Sequence, residues 1–261
     1  MGRTEEQILT ANIDSVFLVS GLDGDFNLRR IERYLSVAWD SGAVPIIVLN
    51  KSDLSENIET QMEQVEGIAL GVSIYPVSAK NNTGMESLLE HIGKGKTVTF
   101  LGSSGVGKSS IINCLLGYDQ LVIGELRKSD GRGRHTTTYR EMLLLPNGGI
   151  VIDTPGMREI QIWTDSDGME KTFSDIEELA TQCRFRDCNH STEPGCAIMN
   201  ALENGTLDKK RYTNYLRLQK EVRHLKLRQD QKEARRISRE WDKKIRQHHK
   251  NMKELRKRGL A

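Results

Sequence analysis

At 261 residues, with 37% hydrophobic and 28% charged side chains, the chain is long enough for one sizeable core and a smaller domain. No apolar run reaches the ~18 residues of a membrane span and no signal-peptide pattern opens the sequence, so a cytoplasmic protein without membrane contact is expected. Four Cys in a chain of this size argue against a disulfide framework and for metal binding or burial.

Residues 1–10 read as a linker remnant. The runs VFLVSGL (16–22) and VPIIVL (44–49) predict buried parallel strands. Between them Leu28, Ile31, Leu35, Val37 and Ala38 recur at roughly helical spacing. The second strand delivers Asn50-Lys51-Ser52-Asp53. A strand at 74–77 delivers Ser78-Ala79-Lys80 and is followed by a helix near 85–92. A strand at 97–101 feeds Gly102-Ser103-Ser104-Gly105-Val106-Gly107-Lys108-Ser109-Ser110 and a helix starting near Lys108. Residues 124–138, rich in Gly and Arg, predict a mobile loop that carries His135 and Thr136-Thr137-Thr138. Residues 141–145 and 149–152 predict a hairpin around Pro146-Asn147-Gly148, ending at Asp153-Thr154-Pro155-Gly156. This alternation predicts an α/β domain over 11–165, three-layered with a mostly parallel sheet. A small Cys/His-rich helical domain over 166–225 and a basic helical extension over 226–261 follow. No internal repeat is present.

Gly-x4-Gly-Lys-Ser between a strand and a helix is a phosphate-loop signature. The glycines let backbone N–H groups turn inward on phosphate oxygens, Lys108 reaches the β- and γ-phosphates, and Ser109 ligates Mg²⁺. The bland alternative is a Gly-rich turn. Asn50-Lys51-x-Asp53 after an apolar strand selects guanine: Asp53 accepts from N1–H and the 2-amino group, which adenine lacks, and an unpaired buried carboxylate is costly. Lys51 lies over the base, and Asn50 ties this loop to the phosphate loop. Alone, the tetrapeptide also reads as a helix cap on Ser52 or Asp53. Ser78-Ala79-Lys80, with the Ala79 N–H for guanine O6, favours the base-reading alternative and GTP or GDP as ligand. Asp153 acts on Mg²⁺ through a water, and the Gly156 N–H senses the γ-phosphate. One Thr of 136–138, taken as Thr137, completes the Mg²⁺ shell; simple β-propensity is the alternative for that run. Met157 stands where a water-positioning Gln would follow Gly156. His135 is the substitute, although a loop His can equally be just exposed. Arg132, Arg134 and Arg158 are candidates to stabilise transition-state charge. His135, Lys108 and Thr137 form the expected catalytic set for in-line attack of water on the γ-phosphate, slow until a partner orders the loop. The base-reading loops precede the phosphate loop, the reverse of an ordinary small GTPase, so the connectivity is expected to be circularly permuted.

Cys183-x4-Cys188-x-His190-x5-Cys196 supplies three thiolates and an imidazole, a set suited to one structural Zn²⁺. The turn Glu193-Pro194-Gly195 brings Cys196 back. The spacing is not a common finger pattern, so buried thiols beside a surface His are the alternative. Cys114 is expected in the core. The net charge of +2 conceals an asymmetry: residues 208–261 carry 20 Lys+Arg against 7 Asp+Glu, leaving 18 against 29 in residues 1–207. An acidic body with a basic tail suits a polyanionic partner. Tyr212, Tyr215, Leu216, Val222, Leu225 and Leu227 keep partial helical period. Ile237, Trp241, Ile245, Met252 and Leu255 then make one narrow stripe. The tail is either a solvated helix or a helix that binds RNA phosphates, and the acidic body favours RNA.

Taken jointly, ANIDSVFLVS, VLNKSDL, VSAK, GSSGVGKSSIIN, GRGRHTTT, DTPGMRE and CRFRDCNHSTEPGCA resemble the circularly permuted ribosome small-subunit-dependent GTPase A (RsgA/YjeQ) family over roughly residues 10–225. The resemblance implies GTP hydrolysis stimulated by the small ribosomal subunit (30S), late maturation of that subunit with rRNA binding, a C-terminal zinc domain, and His135 as the residue that aids hydrolysis. Family members usually open with an RNA-binding OB-fold barrel. Only about ten residues precede the first strand here, so either the sequence is a piece of a longer protein or that module is missing, in which case the basic tail is expected to compensate in part. A monomer is expected, as is a nucleotide-dependent repositioning of the zinc domain through the segment after Gly156. The reading from another class is a nucleotide-regulated RNA-binding protein with negligible intrinsic hydrolysis.

Overall fold

The computed structural model describes residues 11–121, 141–153, 166–191 and 193–257, and side chains of the last helix only in part beyond residue 228. The expected loop at 124–138, with His135 and Thr136–Thr138, lies outside the described residues, as do Gly156, Met157, Arg158 and the start of the chain.

The described strands are β1 (Ser15–Gly21), β2 (Val44–Asn50), β3 (Ser73–Pro76), β4 (Thr97–Gly102), β5 (Glu141–Leu144) and β6 (Ile150–Asp153). They form a sheet ordered β3-β2-β1-β4-β6-β5. All neighbours are parallel except β5 and β6, the predicted hairpin, which pair antiparallel. The apolar runs of β1 and β2 follow from burial on both faces. Phe17, Val19, Ile46, Val48 and Phe100 pack with Met85 and Leu88 of α3 (Met85–Leu89) and with Ile111, Ile112 and Leu115 of α4 (Lys108–Leu116). Val16, Leu18, Ile47 and Leu49 face Ile31, Leu35 and Ala38 of α1 (Leu28–Asp40) and Val65 of α2 (Ile58–Glu66). Alternate residues of one strand thus serve two cores, which gives the three layers. Asn27 starts α1 by accepting from the Arg29 and Arg30 N–H groups at 2.9 and 3.2 Å.

Register places the site. Gly21 pairs with Asn50, Val19 with Gly102 and Leu49 with Pro76, so the loops after β1, β2, β3 and β4 leave the same carboxyl edge of the sheet. That edge is where open α/β sheets bind ligands.

The helical region comprises α5 (Ser166–Thr172), α6 (Ser174–Thr181), α7 (Ala197–Glu203) and α8 (Lys209–Lys257). The first turns of α8 are anchored to α1 by a buried polar cluster. Arg211 donates to Glu32 at 2.8 Å, to Asp175 at 2.7 and 2.9 Å and to the Thr172 carbonyl at 2.9 Å. Asn214 donates to the other Glu32 oxygen at 2.6 Å, and Arg29 also reaches Glu32. Burial pushes the Glu32 carboxyl up, and these three donors, two of them cationic, work against it. The Arg211 guanidinium also lies over the Phe173 ring, 4.9 Å from its centroid. The compact body ends at Leu218, and the chain from Gln219 belongs to a second unit. The stripe from Ile237 to Leu255 lies among side chains outside the description.

Candidate nucleotide site and metal centre

Asn50 organises the carboxyl edge. Its side chain is 2% exposed, donates to the Val106 carbonyl at 2.8 Å and accepts from the Ala79 N–H at 3.1 Å. One buried amide therefore staples together the loop after β2, the phosphate loop and the loop after β3. Gly107 makes this possible: its φ is +101°, and a Cβ there would fall 2.2 Å from Asn50 Nδ2. Lys51 has φ +64° and pairs with Asp23 at 2.7 Å. Asp53 lies in a short 3₁₀ turn, Ser52–Leu54, which no side chain caps. It accepts from Ser78 Oγ at 2.6 Å, and Lys80 Nζ stands 3.9 Å away.

Lys108 opens α4 and is buried. Its ammonium donates to the Gly102 and Ser103 carbonyls at 2.8 Å each. Burial draws its pKa down to about 8, against the pull of Asp153 and Asp25. Asp153 is buried at the end of β6. Ser109 and Ser110 are half-buried in the first turn of α4, while Ser104 and Gly105 are exposed on the loop. The free N–H groups of that turn make an anion site. Cys114 is half-buried against the core, and its thiol donates to the Ala79 carbonyl at 3.2 Å.

The loop between β1 and α1 brings residues that sequence reasoning missed. Asp25 accepts from Ser103 Oγ and from Arg30 at 2.5 Å, and Arg30 also reaches Ser103 Oγ at 3.2 Å. Against the desolvation of its loop, the Lys51 ammonium and the Asp25 N–H hold the Asp23 carboxyl below its ordinary value. Asp23 and Asp25 carry no motif. The available signal was positional, two acids at the carboxyl end of a strand, but nothing in the sequence says that β1 lies beside β4.

Cys183 follows α6, Cys196 caps α7, and Cys188 and His190 lie on the turn between them. The four ligand atoms lie within 4.8 Å of one another. Cys183 Sγ and Cys196 Sγ are 3.9 Å apart, and His190 Nδ1 is 3.5 Å from each. Tetrahedral coordination with Zn–S bonds of about 2.3 Å and Zn–N bonds of about 2.0 Å requires S–S edges of about 3.8 Å and S–N edges of about 3.5 Å. This donor set therefore fits such an ion. The thiols are unequal: desolvation and the adjacent sulfurs push Cys188 up to about 11. Against desolvation, the Ala197 and Ile198 N–H groups help pull Cys183 below its ordinary value.

A phosphate-loop motif and two loops that carry the Asn-Lys-x-Asp and Ser-Ala-Lys motifs leave one sheet edge, and with the phosphate-loop strand fourth in the chain they define a circularly permuted GTPase fold. The RsgA GTPase family model matches residues 1–163, and the chain belongs to that family. Small ribosomal subunit biogenesis GTPase RsgA 2 of Listeria monocytogenes strain F2365 is 52% identical over 219 residues, covering 84% of this chain and 63% of that relative. The chain thus spans less than two thirds of the relative's length. Among solved structures, YjeQ from Thermotoga maritima aligns with a TM-score of 0.59 at 33% identity, over 81% of this chain and 72% of its own. YloQ, a circularly permuted GTPase, aligns with a TM-score of 0.58 at 27% identity, over 82% and 69%.

Proposed function

We propose that this chain is a GTP hydrolase that acts in late maturation of the small ribosomal subunit, as a cytoplasmic monomer that contacts rRNA. The observation that carries the nucleotide half is the Asn50 staple, which joins the loop after β2 to the phosphate loop and to the loop after β3. The relatives' names carry the ribosomal half. Among the described residues no helix is long and apolar enough to cross a membrane.

In this reading Asp53, steadied by Ser78, takes guanine N1–H and the 2-amino group. The Ala79 N–H is shared between Asn50 and guanine O6, and Lys51, braced by Asp23, lies over the base. Lys80 adds positive charge beside Asp53. Lys108 leaves the two loop carbonyls for the β- and γ-phosphates, and the N–H groups from Ser104 to Ser110 surround them. Ser109, Thr137 and, through a water, Asp153 are the oxygen donors for Mg²⁺, which when bound neutralises charge across the β- and γ-phosphates. His135 positions the attacking water, the bond from the γ-phosphorus to the β–γ bridging oxygen breaks, and GDP and phosphate leave. The Gly156 N–H reports the γ-phosphate. Cys183, Cys188, His190 and Cys196 hold one structural Zn²⁺, which when bound cross-links the ends of α6 and α7.

The test is GTP turnover with and without purified small subunits at two salt concentrations. Slow turnover alone, strong stimulation by subunits and weaker stimulation at high salt are expected. Tight guanine-nucleotide binding without stimulation would sink the ribosomal half, and absence of guanine binding would sink the whole.

A further inference from the structure

Between the first two ligands of the Cys3His cluster the chain reads Cys183-Arg184-Phe185-Arg186-Asp187-Cys188. Phe185 is 42% exposed, while the other four phenylalanines are buried or half-buried. Single exposed apolar side chains are ordinary, so exposure alone says little. What sets Phe185 apart is how it is held and what surrounds it.

The turn that presents the ring is pinned from several directions. Its flanking cysteines both belong to the cluster. The Arg184 N–H donates to the Gly195 carbonyl at 3.1 Å, and the Cys188 N–H to the Phe185 carbonyl at 3.4 Å. Gly195, at φ +78°, admits the Arg184 stem, since a Cβ there would sit 3.1 Å from Arg184 Cβ. These contacts hold the backbone that carries the ring, so binding on it costs little further conformational entropy. The Arg184 guanidinium lies over the ring, 5.4 Å from its centroid, a cation–π arrangement. Arg186, on the other side in sequence, is exposed, and Asp187 is the one acid between the two cysteines.

An exposed ring with one guanidinium over it and a second exposed arginine next to it in sequence matches one occupant best. A protein pocket closing on this ring would have to strip water from both guanidiniums, which is costly without paired acids. A nucleobase stacks on ring and guanidinium alike, and its own phosphates meet the arginine charge. Bases in an RNA duplex are already stacked, so the occupant is a base in a loop, a bulge or a strand end. We propose that Phe185 and Arg184 form a stacking platform for one unpaired RNA base, with Arg186 meeting the adjacent phosphate. This rests on the rRNA-binding reading above and names the chemistry that the metal-pinned turn would recognise.

The experiment compares the zinc-loaded full chain with Phe185→Ala and Phe185→Trp. Each is titrated with a short mixed-sequence single-stranded RNA and with an abasic RNA of the same length, which keeps the phosphates and lacks the bases. Zinc content is measured for every variant, so that a collapsed cluster is recognised as such. The wild type is expected to bind the base-bearing RNA more tightly than the abasic one. Phe185→Ala should lose roughly 5- to 100-fold on the base-bearing RNA and little on the abasic one, while Phe185→Trp restores the preference. Equal affinity of wild type and Phe185→Ala for base-bearing RNA, with zinc intact, overturns the platform and leaves the RNA reading standing. If that variant instead loses capture by RNA-free small-subunit proteins, the ring is a protein contact and the platform is equally overturned. A wild type that binds neither RNA overturns the platform and the RNA reading together.

Discussion

The nucleotide edge and the helical region solve the same problem, holding distant segments in register, by different means. At the nucleotide edge a neutral amide, Asn50, joins three loops through backbone groups, and each loop comes from the end of its own strand. In the helical region charge does the joining. Arg211 and Glu32, 179 residues apart in sequence, meet in a buried ion cluster, and four side chains gather as a metal-ligand set. The first arrangement is built on the edge of a six-stranded sheet packed on both faces. The second buries a smaller apolar set, with Phe173, Ile176, Ile198, Tyr212, Tyr215 and Leu218 at its centre, so the ion cluster and the ligand set carry a larger share of its order.

The most severe way to test that contrast is to remove the zinc that the Cys3His set is proposed to hold. Chelation, or Cys188→Ser, should unfold the helical region, since structural zinc in small domains contributes roughly 10 kcal/mol or more to folding. Guanine-nucleotide affinity should stay within about twofold, because none of the residues proposed to meet the nucleotide belongs to the cluster. Zinc stoichiometry, a thermal melt and titration with fluorescent GDP measure both halves. Joint loss of both would show that the sheet does not stand alone.

Next in size is the buried ion cluster. Arg211→Met leaves Glu32 buried with Arg29 and Asn214 alone, and should destabilise the protein by about 3–5 kcal/mol in denaturant unfolding. The double variant Arg211→Met/Glu32→Gln should recover part of that loss, because the stranded charge, more than the missing attraction, sets the cost. Additive losses would count against this account. On the nucleotide side, Asp53→Ala should weaken GDP binding by about 3–4 kcal/mol, roughly a few hundred-fold, through two lost charged hydrogen bonds to guanine. It should barely shift the melting temperature. A large stability loss would place Asp53 in the fold rather than in base recognition.

The same contrast decides what the sequence could disclose. Phosphate and guanine chemistry requires particular residue types at adjacent positions, so Gly102–Ser109, Asn50–Asp53 and the Ser-Ala-Lys loop are readable at a glance. The strands were equally readable, because burial on both faces demands unbroken apolar runs. Glu32 was not. The helical period of α1 marks Leu28, Ile31, Leu35, Val37 and Ala38 as its inner face, and an acid outside that face reads as solvated. In the fold α1 has a second buried face, where Ser36 donates to Thr172 at 3.2 Å and Glu32 meets Arg211. Its distant partners, Arg211 and Asn214, sit beyond the metal-ligand segment, and no local pattern points to them. α8 was legible for a different reason. Apolar period fades near residue 227, yet the expected basic helical extension continues as helix to Lys257, carried by the intrinsic helix propensity of its Lys, Arg, Gln and Glu residues.

The smallest expected effect tests whether a fold-built contact at the nucleotide edge matters as much as the motif beside it. Asp23 is invisible to motif reading but grips Lys51 at 2.7 Å, with the two side chains 28% and 22% exposed. Water screens a pair this open, so its attraction is worth only about 0.5–1 kcal/mol. Asp23→Asn removes the charge and keeps an oxygen for the Asp25 N–H, which Asp23 Oδ1 accepts at 3.1 Å. Lys51 then loses its brace over the base, and GDP affinity should fall about two- to fivefold at low salt, with the difference shrinking as salt rises. Titration with fluorescent GDP at two ionic strengths measures this. A loss as large as that of Asp53→Ala, and insensitive to salt, would mean that the β1 loop reads the nucleotide directly. The distinction between a legible motif and a silent scaffold would then fail at the site where it looked clearest.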